Sequence, residues 1–257
     1  MGGSSASEAE VHFARSRESL GRVSGSTGTP NISPTDAALR GARFLQGLSN
    51  SERNIVLEHA NSRSYSIKSI VAEQGTIAEC LFMLVTGSAR HFFITSEGRK
   101  VNLFWLLPGD IVGGTSLLRE PAEFIVSTEI TRHTQVLVWK REALRRLVLQ
   151  FPRLLENGLS ISCDYLVWYL ATHLSLISNS ARERLAHVLV SLSRGIGQKS
   201  SKGITLEITN EQLANTANVS PFTVSRLLTE WQRSGVLLKS RGRLQLCRSD
   251  QLFNKAP

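Results

Sequence analysis

The sequence predicts an α+β chain: an antiparallel β-roll in its first half, one long helix behind it, and a small module of short helices with a β-hairpin at its end. Three observations carry that reading. Across residues 64–139, short runs rich in β-branched and aromatic residues alternate with turn residues. Across 140–177 the apolar residues switch to helical spacing. Across 208–246 a capped helix, a tight turn, a second helix opened by proline and a basic hairpin follow one another.

The elements follow in chain order. Residues 1–36 are rich in Ser, Gly, Ala and charge, with Pro30 and Pro34 at their end, a composition that cannot bury much and predicts a disordered arm. A short amphipathic stretch at 37–44 precedes a helix within 48–60, where Ser49 followed by Glu52 reads as a capped start. Strand runs follow at 69–72, 80–86, 88–94, 101–107, 124–130 and 135–139. Gly75, Gly87, Glu97-Gly98 and Pro108-Gly109-Asp110 separate them, and Gly98 suits a hairpin turn between Phe93 and Val101.

A short helix over 140–150 is ended or bent by Phe151-Pro152. The long helix then runs from Pro152 to about Ile177. Leu159, Cys163, Leu166, Leu170, His173 and Ile177 recur along it at alternating steps of four and three. Such a seam wants a partner helix and so predicts a homodimer; packing within its own domain is the alternative. Ser178-Asn179-Ser180 breaks and re-caps the chain before another amphipathic helix at 181–193.

The stretch 208–246 carries the functional signal. Thr209 caps a first helix with Gln212 three residues on, and Leu213, Ala214 and Ala217 give it a small apolar face. After a turn through Asn218 and Val219, Ser220 caps a second helix with Pro221 at its first position. That helix buries Val224, Leu227, Leu228 and Trp231, which leaves Phe222, Thr223, Ser225 and Arg226 outward. A helix-turn-helix of this kind places its second helix in the major groove of double-stranded DNA. Arg226 can grip guanine O6 and N7 together, Ser225 a base or phosphate, Thr223 a phosphate, and Phe222 a thymine methyl or the sugar backbone. Gly235 stops the helix, and 236–238 pairs with 244–246 to make a wing whose Lys239, Arg241 and Arg243 lie near phosphates. The alternative is a helical module used only for packing.

Charge agrees with a polyanion partner. The chain has 257 residues and a net charge of +9. From Asn179 onward there are 12 Lys or Arg against 5 Asp or Glu, whereas the preceding residues hold 18 against 16. No apolar run approaches the ~20 residues that span a bilayer, and the N-terminus lacks the apolar core of a signal peptide, so a cytoplasmic chain with no membrane contact is expected. Cys80, Cys163 and Cys247 lie far apart with no metal-ligand spacing.

The stretches TNEQLANTANVSPFTVSRLL and LLPGDIVGGTSLL, and the order of elements from about Phe44 to the end, resemble the cyclic-AMP receptor protein/FNR (CRP/FNR) family of bacterial transcription regulators. The resemblance implies four regions: the arm at 1–36, a cyclic-nucleotide-binding-like jelly-roll sensor at 37–150, a dimerisation helix at 151–178 and a winged helix-turn-helix at 179–257. In that family the residues matching Phe222, Ser225 and Arg226 carry base recognition. Many members have Glu or another polar residue where this chain has Phe222, which leaves Arg226 its role and the operator open. A palindromic site follows from a two-fold dimer, and RNA polymerase is the implied partner of an activator.

The same resemblance locates an effector pocket at Gly113, Gly114, Thr115, Ser116 and Phe124. Gly114 stands where the family's ribose-binding Glu falls, and Phe124 lies near the position of its phosphate-binding Arg. The expected effector is therefore something other than cyclic AMP, or none. Three unclustered cysteines do not make the family's iron–sulfur site. No cofactor is predicted, although His59, His91, His133, His173 and Cys80 are candidate haem ligands. Among rival classes, a metal enzyme on the roll is disfavoured because His91 and His133 form no H-x-H pair. A small-ligand or haem-binding module whose basic tail contacts protein remains the alternative.

Overall fold

The computed structural model describes Leu39, residues 41–201, 203–240 and 242–253. The expected arm at 1–36 and most of the amphipathic stretch at 37–44 lie outside the described residues. Among those described, backbone contacts group residues up to Val167 into one compact unit and those from Trp168 onward into another.

In the first unit, α1 (Asn50–Glu58) begins at Ser49 because cap and helix satisfy each other. The Ser49 N–H donates to Glu52 Oε2 at 2.7 Å, and Ser49 Oγ accepts from the Glu52 N–H at 3.3 Å. Eight strands follow: β1 (Asn61–Tyr65), β2 (Ile70–Ala72), β3 (Cys80–Leu84), β4 (Ser88–Ile94), β5 (Lys100–Leu106), β6 (Ile111–Val112), β7 (Ser127–Arg132) and β8 (Thr134–Lys140). They make two four-stranded antiparallel sheets, ordered β1-β8-β3-β6 and β2-β7-β4-β5. The β4–β5 hairpin pairs Phe93 with Val101 around Gly98, whose φ of +74° suits a residue without Cβ.

Sequence and structure differ at three places here. Strand β1 was not expected, because its residues are polar and mostly exposed; only pairing with β8, from Asn61↔Val138 to Tyr65↔Thr134, makes it a strand. Strand β6 is two residues long and is defined by pairing with β3. The run expected at 124–130 begins only at Ser127. Phe124 instead lies in the loop before the strand, its backbone bonded to that of Gly75 and Thr76.

Strand β3 is buried on both faces. Leu81 and Met83 meet a layer made of Phe44, Leu45, Val56, Leu144, Leu147 and Leu154. Trp139 is the centre of that layer: it is fully buried, lies edge-on to Phe44, and its indole N–H donates to the Val56 carbonyl at 2.8 Å. The other sheet buries Glu129 and His91 beside polar partners. Glu129 Oε2 accepts from Arg90 Nη2 at 2.6 Å and Lys100 Nζ at 2.7 Å. Burial pushes the Glu129 carboxyl up, but the hydrogen bonds and charges of Lys100 and Arg90 outweigh it and hold it below the usual carboxylate range. His91 is 6% exposed, its Nδ1 is 2.8 Å from Thr128 Oγ1, and its ring stands edge-on to Phe104.

Helix α2 (Arg141–Gln150) ends at Phe151, and α3 (Arg153–Ser178) starts one residue later than expected, behind Pro152. Asn157 Nδ2 donates to the carbonyls of Phe44 and Gln46, Arg43 pairs with Asp164, and Tyr165 packs on Phe104. These contacts hold the first half of α3 to the roll.

The second unit contains α4 (Ala181–Gly195), β9 (Gln198–Ser200), β10 (Gly203–Glu207), α5 (Asn210–Ala217), α6 (Pro221–Arg233), β11 (Leu237–Ser240) and β12 (Arg243–Leu246). The expected wing hairpin forms, pairing Leu237↔Leu246 through Ser240↔Arg243, but it does not stand alone. It is half of a four-stranded sheet ordered β11-β12-β10-β9, since β12 also pairs with β10 from Ile204↔Leu246 to Glu207↔Arg243. A four-residue hairpin gains rigidity from that neighbour.

Burial, only partly offset by the Ser127 backbone, lowers the His91 pKa from 6.5 to about 4. Between those values the unfolded chain binds a proton that the folded chain refuses, so stability falls as pH drops from 6.5 toward 4. The full loss is about 3 kcal/mol. Denaturant midpoints across that window should fall for the natural chain and flatten for His91→Gln.

Candidate nucleic-acid interface

The interface is built from backbone satisfaction outward. Thr209 Oγ1 accepts from the Gln212 N–H at 3.2 Å while the Thr209 N–H donates to Gln212 Oε1 at 2.8 Å, which closes the start of α5. Leu213, Ala214 and Ala217 are buried. The helix ends at Asn218, whose φ of +49° turns the chain left-handed and lets the Val219 N–H reach the Ala214 carbonyl. Ser220 then caps α6, its Oγ accepting from the Thr223 N–H at 3.0 Å, with Pro221 at the first helical position.

Helix α6 buries Val224, Leu227, Leu228 and Trp231, and this determines which residues face out. Phe222 is 79% exposed, Arg226 is exposed, and Thr223 and Ser225 are half-buried. The Thr223 hydroxyl lies 2.9 Å from Ser220 Oγ, so it belongs to the cap as much as to the surface. Val236 follows Gly235 and returns to α6 through a bond to the Trp231 carbonyl.

Between the start of α5 and the wing lies a cavity of about 460 Å³, lined by Thr209, Asn210, Gln232, Lys239 and Ser240 among others. Thr209 and Lys239, separate in sequence, thus share one concave surface. Arg243 is exposed and partly engaged, 3.4 Å from Glu207 Oε1 on the paired strand. Arg241 lies outside the described residues.

Sequence reasoning missed three residues that hold this surface together. Arg184 donates to the carbonyls of Asn179, Ala217 and Asn218, and so clamps the turn between α5 and α6. Glu230 accepts from Arg226 Nη1 on one oxygen and from Arg182 Nη1 on the other, both at 2.9 Å. The Arg226–Glu230 pair is legible as an i,i+4 spacing. The contacts of Arg182 and Arg184 bridge distant segments and leave no local signal.

The pocket residues expected in the roll come together as a tight turn. Gly113 has φ +85°, the 3₁₀ turn Gly114–Leu117 follows, and Ser116 Oγ donates to the Gly113 carbonyl at 2.7 Å. A Cβ at Gly113 would lie 2.8 Å from Phe124 Cε1, so the Phe124 ring closes directly over this glycine. Thr115 Oγ1 is buried with no hydrogen-bond partner. Arg145 and Arg141 bond the carbonyls of Leu117, Leu118 and Arg119.

On α3 the six seam residues share one face. Leu159, Leu166, Leu170 and Ile177 are each more than half exposed, and Cys163 and His173 are exposed as well. Of the candidate haem ligands, His91 is buried and bonded to Thr128, Cys80 is half-buried, and His59, His133 and His173 are exposed. Burial pushes the Cys80 thiol up, away from the thiolate form. Among the described residues no helix is long and apolar enough to cross a membrane.

A family model described as Crp-like helix-turn-helix domain matches residues 183–254, and one described as cyclic nucleotide-binding domain matches 62–151. The chain is 28% identical over 210 residues to the cyclic AMP receptor protein of Thermus thermophilus, across 81% of this chain and 94% of that one. It is 27% identical over 190 residues to the anaerobic regulatory protein of Bacillus subtilis, across 70% of this chain and 76% of that one. The solved structure of the c-di-GMP responsive global regulator CLP of Xanthomonas campestris shares the fold, with a TM-score of 0.67 at 21% identity over 77% of this chain and 99% of that one.

The Ser220 cap can be tested by itself. Ser220→Ala should lower stability by about 1 kcal/mol in denaturant unfolding, and Ser220→Asp should restore most of it.

Proposed function

As the chain belongs to the CRP/FNR family of transcription regulators, with a helix-turn-helix DNA-binding domain, we propose that it acts in the cytoplasm as a homodimer reading a palindromic site through the major groove. The observation that carries this reading is the outward first half of α6, with Arg226 exposed on a helix whose opposite face is buried. Arg226 reads guanine through its fork, Ser225 bonds a base or phosphate, and Phe222 meets a thymine methyl or the sugar edge. Thr209, Lys239, Arg241 and Arg243 supply phosphate contacts that set register, with Arg243 shared between phosphate and Glu207.

The dimer rests on the exposed seam of α3. Water-exposed Leu and Ile at steps of four and three favour a second copy of the same helix, and a two-fold pair presents two recognition helices about one DNA turn apart. If the protein activates transcription, RNA polymerase is a further partner.

The Thermus relative carries cyclic AMP in its name; we read this chain as taking another effector or none. Gly114 offers no carboxylate, and Phe124 places an apolar ring over Gly113 where a phosphate would want a cation. Arg141 and Arg145, which reach the end of that turn, are committed to backbone carbonyls. No iron–sulfur cluster or other cofactor enters the proposal. An absorption spectrum of the purified chain tests the haem alternative.

Selection from random duplexes should return a two-fold symmetric sequence, and Arg226→Ala should erase the preference at one base pair of each half-site, a loss of about tenfold or more. Equal, weak binding of every sequence, with or without cyclic AMP, would overturn the reading. Replacing Leu166 and Leu170 together by Glu should convert a dimer to monomers in sedimentation and abolish preference for the full palindrome.

A further inference from the structure

We propose that Glu230 is a specificity-determining positioning residue: it holds the Arg226 guanidinium by one edge and so fixes which base pair that side chain can reach. The inference rests on the reading above that Arg226 contacts a base, and extends it to a residue that touches no DNA itself.

The geometry is a relay across three side chains. Glu230 Oε1 accepts from Arg226 Nη1 at 2.9 Å, one helical turn back along α6. Glu230 Oε2 accepts from Arg182 Nη1 at 2.9 Å, reaching over from the start of α4. Arg182 in turn lies over the ring of Trp231, 5.1 Å from its centre, and that indole is fully buried. The carboxylate is therefore anchored to the core of the domain through Arg182.

An ordinary exposed i,i+4 pair fluctuates and contributes little. This one differs because its acid has a second, half-buried partner whose side chain is 22% exposed, against 57% for Arg226. Swinging Glu230 away would break both bonds. The consequence for chemistry is specific. With Nη1 occupied by Glu230, Arg226 presents the Nε and Nη2 edge outward, two parallel donors that match guanine O6 and N7. Without the carboxylate, either edge of the fork can turn outward and the long side chain samples several rotamers.

The position of Glu230 also explains how an acid is tolerated beside a polyanion. Its two oxygens face two guanidinium groups, so the cluster of Arg182, Glu230 and Arg226 keeps a net positive charge toward the phosphates.

Sequence selection and salt-series binding on the full chain test the proposal, with the natural sequence, Glu230→Gln, Glu230→Asp and Arg226→Ala compared. Glu230→Gln and Glu230→Asp should each lower discrimination about tenfold at the base pair whose preference Arg226→Ala erases, with other positions unchanged. Non-specific affinity should stay the same or rise in Glu230→Gln, because a negative charge is lost. Thermal unfolding of each variant separates this from misfolding, since a purely structural role would lower affinity for all sequences together. Undiminished discrimination in both Glu230 variants, alongside its loss in Arg226→Ala, overturns the role of Glu230 alone. Retained discrimination in Arg226→Ala overturns the base-reading role of Arg226 and this inference with it.

Discussion

Burial of Val224, Leu227, Leu228 and Trp231 fixes the rotation of α6 about its axis, and the rest of the DNA-facing surface depends on it. Each of these side chains is worth ~1.5–3 kcal/mol when fully buried. Together they leave the helix one orientation. The exposed positions follow by helical geometry alone: Phe222 and Arg226 are one turn apart on the opposite side. The cap at Ser220 and the clamp of Arg184 on the preceding turn then set where the helix begins. The residues proposed to read DNA are thus placed by a hydrophobic constraint and refined by hydrogen bonds.

The long helix α3 is under a different constraint. Its early residues Leu154 and Ile161 are buried in the core of the roll, and Asn157 ties it to the backbone of Phe44 and Gln46. Among the described residues nothing covers the stripe from Leu159 to Ile177, and Leu155, Val167, Leu174 and Leu176 widen it. Apolar surface of that extent is unusual on a protein that stays monomeric. In the proposed dimer a second copy of the same helix covers it.

Within the roll, Glu129 and His91 are buried beside polar partners. Glu129 sits between Arg90 and Lys100, and His91 remains neutral between Thr128 and Phe104. On the proposed reading, the turn at Gly113 keeps the framework without the anchor points of a cyclic nucleotide. The backbone makes the turn, with a glycine at position 114 and the Phe124 ring over Gly113. Fold and ligand chemistry are separable, because the turn needs only glycine's positive φ whereas the ligand needs particular side chains.

By itself the sequence determined the parts that rest on local physics. The capping boxes at Ser49 and Thr209, the proline start of α6, the glycine hairpin at Gly98 and the seam of α3 are short-range patterns, each readable within one or two turns of chain. Tertiary structure alone decided the features that join distant segments. Strand β1 exists only through β8, the wing becomes part of a four-stranded sheet only through β10, and Phe124 meets Gly113 only when the roll closes. The relay from Arg182 through Glu230 to Arg226 belongs to the same class. A backbone propensity is a property of neighbours in sequence, but a pairing register or a shared carboxylate is a property of neighbours in space.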